Sequence, residues 1–131
     1  MVGKRTFTFV EVLVTIVVLS LGVFIIYQGM LTSLEIYNYS QNYLRAKNWL
    51  ERESWIVEDS VSHKGILPIQ EGDYVTLGNR EFFYRLSYNL VEGIEKNNLY
   101  EVNLSVGWNQ AGRKVNIKET FYVLYQEREE E

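Results

Sequence analysis

The sequence predicts an α+β fold, a long N-terminal α-helix packed on a small antiparallel β-sheet. Three observations carry that prediction. The run from Phe7 to Tyr27 holds 21 residues with a single charge, Glu11. No proline precedes Pro68, so helix continues past that run. Beyond Gly65 the apolar residues change from helical spacing to alternation. A chain of 131 residues fits one modest domain beside such a helix, and 47% hydrophobic content places it among globular rather than disordered chains.

Composition excludes several function classes. The formal net charge is −4, and setting aside residues 1–6, with Lys4 and Arg5, leaves 11 basic against 17 acidic residues. Without a Lys/Arg-rich tract, nucleic acid is not an expected partner, because affinity for phosphate needs clustered positive charge. The absence of cysteine rules out disulfides and thiolate metal sites. His63 is the only histidine, which leaves hydrolytic catalysis poorly supplied. Together these point to a membrane-tethered structural or assembly protein, with no cofactor and no small-molecule substrate.

The apolar run suffices for a bilayer, since about 20 residues span one as a helix. Lys4 and Arg5 precede it immediately, and the next basic residue is Arg45. Positive residues stay on the cytoplasmic side, so the remainder is expected outside the membrane. A cleaved secretory signal is the competitor. Ser20-Leu21-Gly22 matches its small-x-small site, but Val23 to Tyr27 continue the apolar run beyond it.

Glu11 is the most informative residue. A carboxylate inside a span costs about 2.5–3.5 kcal/mol on insertion scales, so such residues usually have a partner. No basic residue within the span supplies one. Two readings stay open: Glu11 reaches the headgroups from near the interface, or it pairs with a cation of another subunit and sets axial register in an assembly.

Lys4-Arg5-Thr6-Phe7-Thr8-Phe9-Val10-Glu11-Val12-Leu13-Val14 resembles the class III signal of type IV pilins and type II secretion pseudopilins. That signal is a short basic leader, then Phe-Thr-apolar-apolar-Glu, then a long apolar helix. The resemblance implies that a prepilin peptidase cuts between Thr6 and Phe7 and methylates the new amine of Phe7. Glu11 then stands fifth in the mature chain, where the family's glutamate neutralises the N-terminal amine of a neighbouring subunit. One residue departs from the pattern: Thr6 stands where the family has Gly, sometimes Ala. Gly3 lies three positions too early, and cutting there would place Glu11 eighth. Residues 1–6 are therefore expected as a removed leader and residues 7–30 as the transmembrane and filament-core helix. Residues 31–131 are the expected periplasmic domain.

The helix is expected to run to about residue 62, a length of ~80 Å at about 1.5 Å per residue. Projected at about 100° per residue, Ile36, Tyr39, Tyr43, Ala46, Leu50, Val57 and Val61 share one sector, with Ser54 at its edge. Tyr37, Leu44 and Trp55 form a narrower group on another side, either meeting neighbouring subunits or broadening the core face. Gly22 and Gly29 are candidate soft points or sites of close helix packing.

Residues 63–72 read as a loop and residues 73–125 as a β-meander, followed by a polar tail over 126–131. Asp73 to Leu77 is a short strand and Gly78-Asn79 a tight hairpin turn. Phe82, Tyr84, Leu86, Tyr88 and Leu90 point one way on the next strand; after a polar turn from Glu92 to Asn98, so do Tyr100, Val102, Leu104, Val106 and Trp108. Asn109-Gln110-Ala111-Gly112 turns the chain. Val115, Ile117, Phe121 and Val123 line a last strand whose apolar row Glu119 interrupts. One apolar sheet face results, and the amphipathic helix half must cover it.

Val102-Asn103-Leu104-Ser105-Val106-Gly107-Trp108, Gly112-Arg113 and Thr120-Phe121-Tyr122-Val123-Leu124 resemble the small I-type minor pseudopilins, which share a strand ending in Trp, a Gly-Arg turn and a terminal strand. No catalytic constellation is visible. His63 beside Asp59, Ser60 and Ser62 reads as a surface group at the helix C-terminus. Glu71, Asp73 and Glu92 lack the spacing of a calcium loop.

The resemblance implies a minor pseudopilin of a bacterial type II secretion system, single-pass in the inner membrane with its C-terminal domain in the periplasm and then incorporated into the pseudopilus. Its implied partners are other minor and major pseudopilins, the prepilin peptidase and inner-membrane lipid. The alternatives are a minor pilin of a type IV or DNA-uptake pilus, and a bitopic periplasmic adaptor or sensor.

Overall fold

The computed structural model describes residues 3, 6–68, 72–92 and 98–125. The expectations for leader residues 1, 2, 4 and 5, for loop residues 69–71, for turn residues 93–97 and for the tail 126–131 fall outside the described residues. A single helix, α1 (Phe9–Ser62), precedes β1 (Gly72–Leu77), β2 (Arg80–Leu90), β3 (Leu99–Gln110) and β4 (Arg113–Leu124). The strands form one antiparallel sheet in the order β1-β2-β3-β4. The fold is α+β, as the change of periodicity predicts. The chain divides after Ser40 into two compact units, and α1 contributes to both.

In the first unit every described residue is exposed except Gly22, which is half-buried. In the second, α1 buries Asn42, Ala46, Trp49, Leu50, Ser54, Val57 and Val61. These recur at intervals of three and four, so they form one stripe, and that stripe covers the sheet. Ala46, Trp49 and Leu50 pack with Phe82, Leu104, Val106 and Trp108. Further along, Val57 and Val61 pack with Val102 and Val123. Ala46, Phe82 and Val106 are each 0% exposed.

The helix face differs from its expected membership in two ways. Ile36 and Tyr39 are 61% and 41% exposed, because burial begins only at Asn42, and Tyr43, at the start of the buried stretch, is still 38% exposed. Trp49, outside the expected sector, is buried with its indole 5.1 Å from the Tyr84 ring. A large flat side chain at the flank of a stripe reaches the core that a short one would miss. Leu90, expected inward, is 54% exposed at the end of its strand.

Two polar pairs fasten helix to sheet. Asn42 Nδ2 donates to Gln110 Oε1 at 2.8 Å. The same oxygen accepts from Trp108 Nε1 and from an Arg80 guanidinium nitrogen, both at 3.2 Å. Ser54 Oγ donates to Glu119 Oε2 at 3.0 Å, which is why β4 continues through a carboxylate in its inward row. Half-buried polar groups are tolerated when each finds a partner.

The boundaries follow turn chemistry. Gly65 (φ 65°) ends the helical segment, and Ile66 N–H donates back to Ser60 O at 3.0 Å. Gly78 (φ 65°) opens the two-residue hairpin between β1 and β2. At the β3–β4 hairpin both Ala111 (φ 48°) and Gly112 (φ 74°) are left-handed. Alanine has no intrinsic claim to that conformation, which costs an L-residue about 1–2 kcal/mol.

Two outcomes are expected in chemical denaturation of the full chain in detergent. Phe82→Ala removes a ring from a site with no solvent access and should cost about 3–5 kcal/mol. Ala111→Asn relieves the left-handed strain and should raise stability by about 0.5–1 kcal/mol.

Candidate assembly site at the helix N-terminus

Thr6, Phe7 and Thr8 precede α1 in irregular, exposed backbone, and helix begins at Phe9. The start is fixed by a reciprocal cap. Thr8 N–H donates to Glu11 Oε2 at 2.8 Å, and Glu11 N–H donates to Thr8 Oγ1 at 3.4 Å. Val12 N–H to Thr8 O, at 3.2 Å, is the first helical bond. This is a capping box, Thr-x-x-Glu, in which two orphan donors of the first turn are satisfied. The carboxylate also lies at the positive end of the helix dipole, where an anion is favoured.

Thr8 is the residue that sequence reasoning missed, although the Thr8-Phe9-Val10-Glu11 spacing carried the signal. Sequence reasoning looked for a cation within the span and found none; the structure adds that an amide of its own chain holds one carboxylate oxygen. That bond does not neutralise the charge, and among the described residues no cation pairs with Glu11. Thr6 and Phe7 make no side-chain hydrogen bond among those described, and Phe7 is 82% exposed.

Beyond the first turn, α1 hides the polarity of its hydroxyls. Thr15 Oγ1 donates to Glu11 O at 2.7 Å and Ser20 Oγ to Ile16 O at 2.7 Å. Thr32 Oγ1 and Ser33 Oγ bond likewise to Gln28 O and Gly29 O, at 3.0 and 2.8 Å. Each of these four hydroxyls thus spends its donor on the carbonyl one turn back. From Val12 to Ile26 the other side chains are exposed and apolar, and among the described residues α1 alone is long and apolar enough to cross a membrane. A surface of this kind is stable in lipid or against other helices, and unfavourable in water.

His63 stands apart from this site. Its Nδ1 lies 3.4 Å from Asp59 Oδ1, and Lys64 Nζ lies 3.7 Å from Asp59 Oδ2, all at the surface. Among the described residues no group of three or more His, Asp or Glu side chains is placed to hold a metal ion.

No family model matches the chain, and neither a curated protein nor a solved structure is significantly similar to it.

Removing the Thr8 hydroxyl should cost the first turn about 0.5–2 kcal/mol. Hydrogen exchange on full-length Thr8→Ala in micelles should show faster exchange of the amides of residues 9–12 and unchanged exchange from Asn42 onward. Equal loss in both regions would show that the cap is not local.

Proposed function

We propose that this chain is a minor pseudopilin of a bacterial type II secretion system, inserted by its N-terminal helix and then built into a pseudopilus. The observation that supports the reading best is the first part of α1: an apolar, uncovered helix with back-bonded hydroxyls and one acid in its first turn. Lipid suits the run from Phe9 to Tyr27 except at Glu11, and a second protomer's ammonium supplies what Glu11 lacks. Cleavage between Thr6 and Phe7 would leave the cap intact, since Thr8 and Glu11 both lie on the retained side. It would also set a new amine one residue before Thr8. Phe7 and Glu11 then carry assembly, while the helix-on-sheet domain carries the choice of partner subunits.

A second reading, the bitopic periplasmic adaptor, draws support from one specific observation. The Thr8 cap gives Glu11 a role inside its own chain, so a partner subunit is not its sole use. A minor pilin of a type IV or DNA-uptake pilus would use the same N-terminus in the same way.

Mass spectrometry of protein purified from its bacterial membrane tests processing: residues 1–6 should be missing and the Phe7 amine methylated. An intact Met1 would favour the adaptor. Glu11→Gln separates the two roles of the acid, because an amide oxygen still caps Thr8 but carries no charge. Incorporation into sheared filaments should fall at least tenfold with Glu11→Gln and equally with Glu11→Ala, with membrane insertion unchanged. Normal incorporation of Glu11→Gln would reduce Glu11 to a cap.

A further inference from the structure

The second unit carries an exposed knob and an exposed hollow on opposite faces. The knob is Trp55, on the back of α1, 72% exposed. At about 100° per residue it stands opposite the buried stripe, with Leu44, 52% exposed, on the same line. Within four residues of Trp55 lie four acids, Glu51, Glu53, Glu58 and Asp59, against one cation, Arg52. An uncovered indole on an otherwise charged helix surface has no role in the domain's own core. Tryptophan is also among the residue types that dominate the centres of protein interfaces.

The hollow lies on the outer face of the sheet and measures about 570 Å³. It centres on the cross-strand row Tyr74–Phe83–Gly107–Asn116. Gly107 makes the dip, and no other residue fits, because a Cβ there would lie 2.9 Å from Val115 O. The Tyr74 and Phe83 rings meet edge-on at 5.4 Å, and the Arg85 guanidinium sits 5.8 Å from the Phe83 ring centre. Arg85 and Lys114 on this lining outnumber its one acid, Glu81. The hollow is therefore concave, aromatic and net basic, while the knob is convex, aromatic and net acidic.

We propose that Trp55 of one copy seats in the Gly107 hollow of a second copy. The contact is heterologous: the helix back of one protomer meets the sheet back of the next. Each added copy then presents a fresh knob and a fresh hollow, so the contact repeats rather than closing on a pair. It goes beyond the secretion reading and needs neither a trimmed N-terminus nor a pairing of Glu11. One indole buries about 150–250 Å², far below the roughly 1,200 Å² of a stable interface, so the contact is weak in dilute solution. It forms where a membrane or a filament concentrates the chains.

The lack of native cysteine makes the test direct. Full-length chain carrying both Arg52→Cys, beside the knob, and Asn109→Cys, on the hollow's lining, is treated with a short bismaleimide in the membranes of expressing cells. A ladder of dimers, trimers and larger species is expected from the double variant, and monomer from either single variant. Adding Trp55→Ala or Phe83→Ala should weaken the ladder more than fivefold; both side chains are exposed, and retained near-ultraviolet circular dichroism certifies the fold. No ladder, equal same-site dimers from a single variant, or a ladder indifferent to Trp55→Ala would each overturn the proposal, the last tracing association to the apolar helices. Because the ladder is read whether or not residues 1–6 are removed, its failure is distinguishable from failure of the pseudopilin reading.

Discussion

A four-stranded sheet with one apolar face cannot stand alone in water, and that constraint organises the second unit. Phe82, Leu104, Val106 and Trp108 need a cover, and among the described residues the stretch of α1 from Asn42 supplies it. Ala46 is wholly buried in one cluster with Phe82 and Val106, a small side chain among large ones. The cover is not purely apolar. Asn42 with Gln110 and Ser54 with Glu119 place hydrogen bonds at two points along the stripe, and among the described residues no buried side-chain nitrogen or oxygen is left unpartnered. Apolar burial supplies affinity between the layers, and the polar pairs fix their register.

Much of this was legible because period is legible. The alternation Phe82, Tyr84, Leu86, Tyr88 and its counterpart Val102 to Trp108 marked strand and face, and Gly78-Asn79 marked the first hairpin. What escaped depends on which partner lies opposite. Ile36 and Tyr39 occupy the same angular sector as Ala46 and Leu50, yet they stay exposed because burial of the stripe starts at Asn42. Nothing in a helical projection states where a partner surface ends. Glu119 looked like a break in an apolar row and Asn42 did not stand out at all; each is explained only by the polar residue facing it, 65 and 68 positions away in the chain.

The N-terminal site was legible in its residues and not in its local chemistry. Glu11 announced itself by being the single charge in an apolar run. Its tie to Thr8 is a short-range pattern of three residues, hidden by the weight given to desolvation at longer range. The two arguments are compatible, since a hydrogen bond from an amide lessens the cost of placing a carboxylate near hydrocarbon without cancelling its charge. The hydroxyls of Thr15, Ser20, Thr32 and Ser33 follow the same logic: each is silent in a hydropathy profile and satisfied by its own helix.

The plain order of the strands bears on how the second unit is made. Each strand pairs with the one synthesised just before it, so the sheet grows hairpin by hairpin with short loops to close, a topology that folds quickly. The helix stretch that covers it is synthesised first and waits. During that interval Trp49, Leu50, Val57 and Val61 have no sheet surface to cover. A chaperone that recognises transiently exposed amphipathic helices would find its substrate in that interval and lose it once Asn42 reaches Gln110.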